Sequence, residues 1–481
     1  MKRVITLLLA AGLVLGAASA SQATDFKAKG VYQFTGSIGN SSFLKDDKAD
    51  RFQASQRFRT QIDMIASESL KGVVFLEIGH VFWGKGADPS FGNTGGALGS
   101  DGTNVKTRYL YVDWVIPQTE VQVRMGLQNF ALPSFTDIGA AVLGGGVADG
   151  AGITVSGQFT ENVGATLFWL RAENDNANAD YDYHFSDAMD FVGLTIPVTF
   201  DGVKVTPWTM YGSIGRDSFD HAGTAASVSN LLPVATPAGV GVGDLVGNSE
   251  VDRHGDAWWV GIASELTMFD PFRVALDAAY GSVDMGSVGN YDIERSGWYA
   301  AALAEYKLDF MTPGIKFWYG SGDDSNVNNG SEMLPTIRAD LNLSNYGYDG
   351  AYYNAYNSMF GLTPAGTWGV YAYLKDISFI EDLSHVLRVG YVQGTNNTEM
   401  ANFVGTPIQK SGYNQLYLTT ADKAWEVNFD TTYNIYKNLT MVVELGYIHL
   451  DLDDATWGKH IDLDNVRENN FRGGISMQYA F

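Results

Sequence analysis

The 481-residue sequence contains no cysteine, only 12 prolines and 7 histidines, and no long apolar run after its first 23 residues. The lack of cysteine excludes disulfides and thiol chemistry. The histidines form no HExxH-like pair, so we expect no metal site, no cofactor and no enzymatic activity. Because no later run approaches the roughly 20 apolar residues of a membrane helix, the mature chain is expected to be either soluble or a β-barrel.

The first 23 residues, MKRVITLLLAAGLVLGAASASQA, have the layout of an export signal. Lys2 and Arg3 precede an apolar stretch over 4–16, and small residues suited to cleavage follow at 18–23. The pattern predicts a signal peptide over 1–23 and a single domain over 24–481. A retained membrane anchor is the alternative, although the apolar stretch is short for spanning a bilayer.

The chain is rich in aromatic residues and glycine, with 25 tyrosines, 26 phenylalanines and 55 glycines. This composition is typical of an outer-membrane barrel, although a large secreted β protein could share it. The net charge of −23 makes nucleic acid an unsuitable partner. Most of the acidic residues lie between the apolar segments, where a lipopolysaccharide surface with divalent cations would tolerate them; simple solvation is the alternative.

Strict alternation of apolar and polar residues predicts strands with one apolar and one polar face. In the ending NNFRGGISMQYAF, Phe471, Ile475 and Phe481 share one face. In KAWEVNFDTTYNIY (423–436), the aromatic and aliphatic residues alternate with Glu426 and Asp430. A soluble sandwich would bury the apolar face against a second sheet, whereas a barrel would turn it to lipid.

Short polar turns alternate along the chain with long loops rich in Gly, Asp and Asn. The long loops lie near 39–51, 84–104, 131–151, 173–187, 216–256, 285–294, 321–366, 395–422 and 451–465. Eight turns and nine loops predict an all-β, antiparallel transmembrane barrel of about 18 strands, with short periplasmic turns and long external loops. A misread hairpin would make it 16 or 20 strands. Segments 163–172 and 367–378 are apolar on both faces, which indicates a subunit interface or contact with an inward-folded loop.

These features together resemble the trimeric outer-membrane porins, including the general diffusion porins, and the long loops resemble the porins of sulfate-reducing bacteria. The ending FRGGISMQYAF is similar to the C-terminal strand that the barrel-assembly machinery reads in that family. The resemblance implies that Phe481 is an assembly signal. It also implies a homotrimer in the outer membrane of a Gram-negative bacterium, with lipid and lipopolysaccharide as partners.

In that family the third external loop folds inward and narrows the channel. The matching segment here is ALPSFTDIGAAVLGGGVADGAG (131–152), whose acids are Asp137 and Asp149. The resemblance therefore implies an inward-folded third loop near 131–152. The alternative is an ordinary external loop.

A pore selects through its narrowest ring, where side-chain charge and radius decide what passes. The polar faces of the predicted strands carry a basic set and an acidic set. The predicted constriction consists of Arg57, Arg59, Arg124 and Arg472 as a basic arc, opposed by Glu426, Asp430 and Glu444, with Asp277 on the eleventh strand and Asp137 on the third loop. Closure of the barrel is expected to bring Arg472 close to Arg57 and Arg59. Alternatively, some of the acids neutralise arginines in structural pairs.

The favoured function is therefore a porin with a water-filled channel for passive diffusion of small hydrophilic solutes and ions. One alternative is a channel selective for oxyanions or sugars, for which Tyr109, Tyr111, Trp259 and Trp318 are candidate lumen aromatics. Two others are a barrel enzyme like the outer-membrane phospholipases, with His80 on the lipid face, and a plugged structural barrel. The acidic segment 451–464 is a weak candidate for a surface divalent cation.

Overall fold

The structure is a computed structural model that describes residues 24–40, 42–45, 52–84, 95–96, 105–174, 188–215, 218, 229–237, 254–348, 358–408 and 416–481. The predicted signal peptide (1–23) lies outside these residues, as do parts of several predicted loops. Within the described ranges, no helix has both the length and the apolar character needed to cross a bilayer.

Antiparallel strands dominate the fold. The first nine are β1 (Asp25–Gly39), β2 (Gln53–Ser67), β3 (Leu70–Trp83), β4 (Val105–Val115), β5 (Gln122–Asn129), β6 (Asp149–Gln158), β7 (Gly164–Asn174), β8 (Ala188–Thr195, resuming at Val198–Phe200) and β9 (Val203–Ile214). The other nine are β10 (Gly255–Phe269), β11 (Phe272–Val288), β12 (Tyr291–Tyr306), β13 (Thr312–Gly320), β14 (Thr367–Ile380), β15 (Leu383–Gly394), β16 (Lys423–Tyr436), β17 (Leu439–Asp451) and β18 (Asn469–Ala480).

In the part of the chain that the structure describes, helical structure is confined to short segments in the external loops. These are α1 (Ala401–Val404) and α2 (Asp454–Trp457), with 3-10 turns at Ser229–Leu231, Val327–Asn329, Thr398–Met400 and Leu463–Asn465. The two-residue segment Gly95–Gly96 pairs in parallel with the end of β3.

Each strand pairs with the next, and β18 returns to pair with β1 from Val31↔Ala480 to Gly39↔Arg472. Phe481 extends this seam, because its N–H and C=O both bond with the backbone of Gly30 at 3.0 Å. Closure leaves no sheet edge, which removes the unpaired backbone groups that lipid cannot satisfy. The predicted all-β barrel of 18 strands is confirmed.

The two faces of the strands follow the predicted alternation. On β16, Trp425, Val427 and Phe429 point outward and are exposed, whereas Glu426 and Asn428 point inward and are buried. Trp208 of β9 is an aromatic residue that faces inward and is buried. Its indole occupies the space that a side chain on Gly261 of the neighbouring strand would need, at 2.3 Å from an added Cβ.

The prediction of a long loop over 285–294 was wrong. Strands β11 and β12 continue through this region and are joined by a two-residue turn at Gly289 and Asn290. Gly289 has φ +61°, a conformation that glycine adopts without steric cost. This hairpin is long enough to extend beyond the bilayer, where polar residues are tolerated on both faces.

Apolar side chains from two external loops fill part of the barrel interior. We call residues 130–148 loop 3 and residues 321–366 loop 7. Phe130 of loop 3 packs on the inward-facing Phe168 of β7, with ring centroids 5.6 Å apart. Tyr348 of loop 7 packs edge-on against Trp318 of β13 at 5.4 Å. The contact at Phe168 explains why β7 is apolar on both faces: one face meets lipid, and the other meets a loop. Loop 7 also meets the start of β14, because the Tyr348 hydroxyl donates to Thr367 at 3.2 Å.

Candidate pore constriction

Loop 3 leaves the wall between β5 and β6 and reaches Asp277, an inward-facing residue of β11. The Asp277 carboxylate accepts hydrogen bonds from Ser134 Oγ (2.7 Å), Thr136 Oγ1 (2.6 Å), and the backbone N–H groups of Phe135 (3.0 Å) and Thr136 (3.1 Å). Asp277 is buried. The four loop donors take the place of water, which is how a buried carboxylate is kept stable.

The next residue of loop 3, Asp137, lies in a cluster of basic side chains on the same wall. Arg273 of β11 donates to its carboxylate at 2.6 and 3.2 Å, and Lys316 of β13 donates to its backbone carbonyl at 2.6 Å. Lys375 of β14 lies 4.0 Å away. Partial burial acts to raise the pKa of Asp137, but the hydrogen bond and charge of Arg273, with the two lysines, hold this pKa below its ordinary value.

Loop 7 pairs with loop 3 inside the barrel. Backbone hydrogen bonds join Ile337 N–H to the Val142 carbonyl at 3.0 Å and Asp340 N–H to the Ala140 carbonyl at 3.1 Å. Gly139 permits this approach, because its φ is +101° and an added Cβ would lie 1.7 Å from the Asp340 carbonyl oxygen. The two loops therefore form one connected layer.

Loop 7 then continues to the wall formed by β16–β18. The Gly347 N–H donates to Glu426 at 2.7 Å, the Asn345 N–H donates to the Asn428 side chain at 2.9 Å, and the Asn345 amide donates to Asp430. The guanidinium of Arg472 lies over the Tyr346 ring at 5.8 Å. Consequently Glu426 is only 1% exposed, and Asp430 and Arg472 are each 9% exposed.

The predicted basic arc is divided by the strand register. Arg57 is opposite Gln33 of β1, whereas Arg472 is opposite Gly39 on the other side of the same strand. Six residues of strand correspond to a separation of about 20 Å along β1. The expectation that Arg472 lies close to Arg57 and Arg59 was therefore wrong: adjacency of the first and last strands did not fix the heights of their side chains.

The remaining arginines of the arc line the lumen face of β2 and β5 and are half-buried. Arg57 donates to the Gln33 amide oxygen at 2.8 Å, and Arg59 donates to Glu77 at 2.6 Å. Arg124 forms a two-point ion pair with Asp113 at 2.7 and 2.9 Å.

Sequence reasoning missed Arg108 of β4, which binds Asp149 at 2.7 Å. We call Arg57, Arg59, Arg108 and Arg124 the arginine wall. It lies across the barrel from the basic cluster around Asp137, because β11–β14 are about half a circuit from β2–β5 in the strand order.

The predicted acidic set has three different surroundings. Asp430 pairs with Arg388 of β15, a residue that sequence reasoning also missed. Glu426 instead accepts from the Tyr371 hydroxyl and the Gly347 N–H. Glu444 is opposite Asp430 on β17 and is half-buried. The polar parity of β15 could have signalled Arg388, but its pairing depends on register.

Two acids of the segment 451–464 serve as caps of short helical turns, and Asp451 pairs with Lys423 at 3.1 Å. Asp453 accepts from the Thr456 N–H at 2.7 Å, and Asp462 accepts from the Asp464 N–H at 3.1 Å. Across the described ranges, no group of three or more His, Cys, Asp or Glu side chains could hold a metal ion. His80 is partly buried, and among the described residues its Nε2 atom has no hydrogen-bond partner.

The sheet is closed, its outer face is apolar, and its inner face is polar and partly covered by loops. These features define a transmembrane β-barrel. Neither a protein-family model nor a curated protein matches the sequence. Solved structures do match. Acinetobacter baumannii OccAB3 has a TM-score of 0.51 at 10% identity, with 95% of this chain and 99% of that chain covered. Pseudomonas aeruginosa OccK2 (OpdF), in complex with glucuronate, has a TM-score of 0.51 at 10% identity, covering 95% and 98%. At this identity the similarity establishes the fold.

Proposed function

We propose that the chain is a porin of the outer membrane of a Gram-negative bacterium, with a water-filled channel for passive diffusion of small hydrophilic solutes and ions. The observation that supports this most is the asymmetry of the barrel interior. Loops 3 and 7 cover much of the wall from β7 to β18, whereas the arginine wall on β2–β5 stays half-exposed toward the lumen. Charged side chains that stay hydrated inside a barrel are typical of a channel.

The proposed constriction lies between the arginine wall and the layer formed by loops 3 and 7. Arg57, Arg59 and Arg124 contribute charge from one side, and Asp137 contributes from the other. Glu426, Asp430 and Arg472 have a different role in this proposal: they are buried and hold loop 7 against the wall. Glu444 stays a candidate lining residue, because it is half-buried on the lumen face.

Electrostatics favour a weak preference for anions. Arginine keeps its charge at all physiological pH values, so the arginine wall carries a fixed positive field. Glu77, Asp113 and Asp149 are close enough to offset much of this field. A channel lined in this way excludes neither ion sign and passes neutral solutes.

The homotrimer, the lipopolysaccharide contact and recognition by the barrel-assembly machinery belong to the same proposal. Phe481 supports an assembly role, since its ring packs against Phe58 at 6.0 Å and Tyr32 at 6.5 Å on the outer surface of the seam. An aromatic anchor at this seam would be available before the barrel closes. Gel filtration and cross-linking of the detergent-purified protein test the trimer directly.

Single-channel recording in a planar bilayer, with reversal potential under a salt gradient, tests the function. The wild type is compared with the double variant Arg57→Ala/Arg59→Ala and with Arg171→Ala, an outward-facing arginine paired with Asp190 at 2.8 Å. We expect conductance in steps of three, and an anion preference that falls in the double variant alone. Folded protein that conducts nothing would contradict the proposal. Phospholipid hydrolysis is then assayed for the enzyme alternative.

A further inference from the structure

Three aromatic rings lie side by side on the lumen face of β3 and β4. The ring centroids of Phe75 and Tyr109 are 5.0 Å apart, and those of Tyr109 and Tyr111 are 6.3 Å apart. Leu110, between the two tyrosines, and Val112, after Tyr111, are exposed on the outer face. Because side chains alternate along a strand, the two tyrosine rings point inward, as does Phe75, which is paired with Tyr109. We call Phe75, Tyr109 and Tyr111 the aromatic strip.

The aromatic strip differs from the other aromatic side chains that face inward. Trp259 and Trp318 are fully buried beneath the loops, so a solute cannot reach them. All three rings of the strip are half-buried instead. Apolar ring surface that stays accessible in a polar channel is available to a ligand that has an apolar face of its own.

Ion pairs flank the strip on both sides. Arg59 with Glu77 and Arg108 with Asp149 lie toward its external end, and Arg124 with Asp113 lies toward its periplasmic end. The Arg124 guanidinium lies 4.2 Å over the Tyr111 ring, and the Arg108 guanidinium lies 5.9 Å from both Phe75 and Tyr109. Each pair therefore presents hydrogen-bond donors beside acceptors.

We propose that the aromatic strip and its ion pairs form a binding site for neutral ring sugars. This inference rests on the proposed channel function and specifies its solute class. The C–H face of a pyranose is apolar and packs on an aromatic ring, while its hydroxyl groups both donate and accept hydrogen bonds. Phe75 and Tyr109 offer the ring surface for such packing, whereas the Tyr111 ring already faces the Arg124 guanidinium at 4.2 Å.

Charge also favours a neutral ligand over an anion. Arg59, Arg108 and Arg124 each already face a carboxylate, and so an added anion would be repelled by the acid as well as attracted by the base. A hydroxyl group has no such conflict, since it accepts from the guanidinium and donates to the carboxylate. Because the arginines are paired, their charge favours a neutral ligand with several hydroxyl groups, and the aromatic rings favour a sugar ring among such ligands.

Block of single-channel current tests the site with three probes: maltose, the open-chain polyol sorbitol and the planar anion benzoate. Maltose is expected to interrupt the wild-type current in a concentration-dependent way, and sorbitol is not. Removal of one ring in Tyr109→Leu should weaken maltose block roughly two- to tenfold. Tyr109→Phe, which keeps the ring, should retain most of the block. The control Tyr280→Leu removes an outward-facing ring and should change nothing.

Equal block by sorbitol and maltose would overturn the inference, because it would show that stacking is not involved. Stronger block by benzoate than by maltose would overturn it in favour of an anion site. A channel that conducts but that maltose never blocks would refute the sugar site and leave the porin function intact. If the protein does not conduct, calorimetric titration of the detergent-solubilised barrel with maltose decides the site: heat that is lost in Tyr109→Leu supports it, and no heat refutes it.

Discussion

Replacement of Asp277 by alanine tests how loop 3 is held in the lumen. Asp277 of β11 accepts four hydrogen bonds from the loop segment Ser134–Thr136, and Arg273 of the same strand adds one to the Phe135 carbonyl at 2.8 Å. Arg273 and Lys316 also hold the loop, but both are hydrogen-bond donors and cannot accept from the four loop donors that the Asp277 carboxylate satisfies. Asp277→Ala should therefore release the loop while leaving the strands of the barrel in place.

The structure sets the size of the effect. A hydrogen bond to a charged group contributes about 1.5–3 kcal/mol, and the contributions of neighbouring bonds are not additive. Counting only half of the four bonds gives a loss of about 3 kcal/mol in the free energy of loop docking. Since about 1.4 kcal/mol is a factor of ten, the undocked population should rise at least about a hundredfold.

The chain lacks cysteine, so a single introduced thiol reports the undocked state. Ile138 is fully buried beside the anchored segment. In an Ile138→Cys background at fixed pH, Asp277→Ala should raise the rate of maleimide labelling about a hundredfold, with higher conductance and noisier open-channel current. Asp63→Asn is the matched control, because Asp63 faces the lumen on β2 and binds Gln61 rather than a loop. Unchanged labelling in folded Asp277→Ala would refute the reasoning.

Two other predictions concern the same loop. Gly139→Ala should separate loops 3 and 7, since the added Cβ would lie 1.7 Å from the Asp340 carbonyl oxygen. Single-channel conductance should therefore increase. The control Gly473→Ala, on the lipid face, should leave the conductance unchanged. Acid should also loosen loop 3. The pKa of Asp137 is lowered in the folded protein, so the ion pair between Asp137 and Arg273 stabilises docking fully above the ordinary aspartate pKa. This stabilisation is lost as the pH falls through the lowered pKa. Current noise should rise below the ordinary aspartate range, and Asp137→Asn should remove that part of the pH dependence; an identical pH profile in the variant would contradict the assignment.

The strand pattern could be read from the sequence because each lipid-facing strand repeats the same two-residue constraint. Trp425 and Val427 must face lipid, so Glu426 between them must face inward whatever the loops do. The predicted strand count follows from this local rule. The rule fails where strands extend beyond the bilayer, as at Asp284 and Asp292, since a strand in water needs no apolar face.

The surroundings of the inward-facing residues could not be read in this way. Glu426 is buried by Gly347, which lies 79 residues earlier in the sequence, and Asp277 binds Thr136, which lies 141 residues earlier. No local pattern encodes these contacts. Parity places a side chain in the lumen, but only the path of the loops decides whether it meets water or protein.

The contact between loops 3 and 7 has a consequence for the order in which the protein is assembled. Gly146 and Asp340, which join the two loops, are separated by 194 residues, and β6–β13 lie between them. Contacts of such long range form slowly and after local hairpins. The interior layer therefore waits until most hairpins have been inserted into the membrane, and a nascent barrel would be wider inside than the finished one.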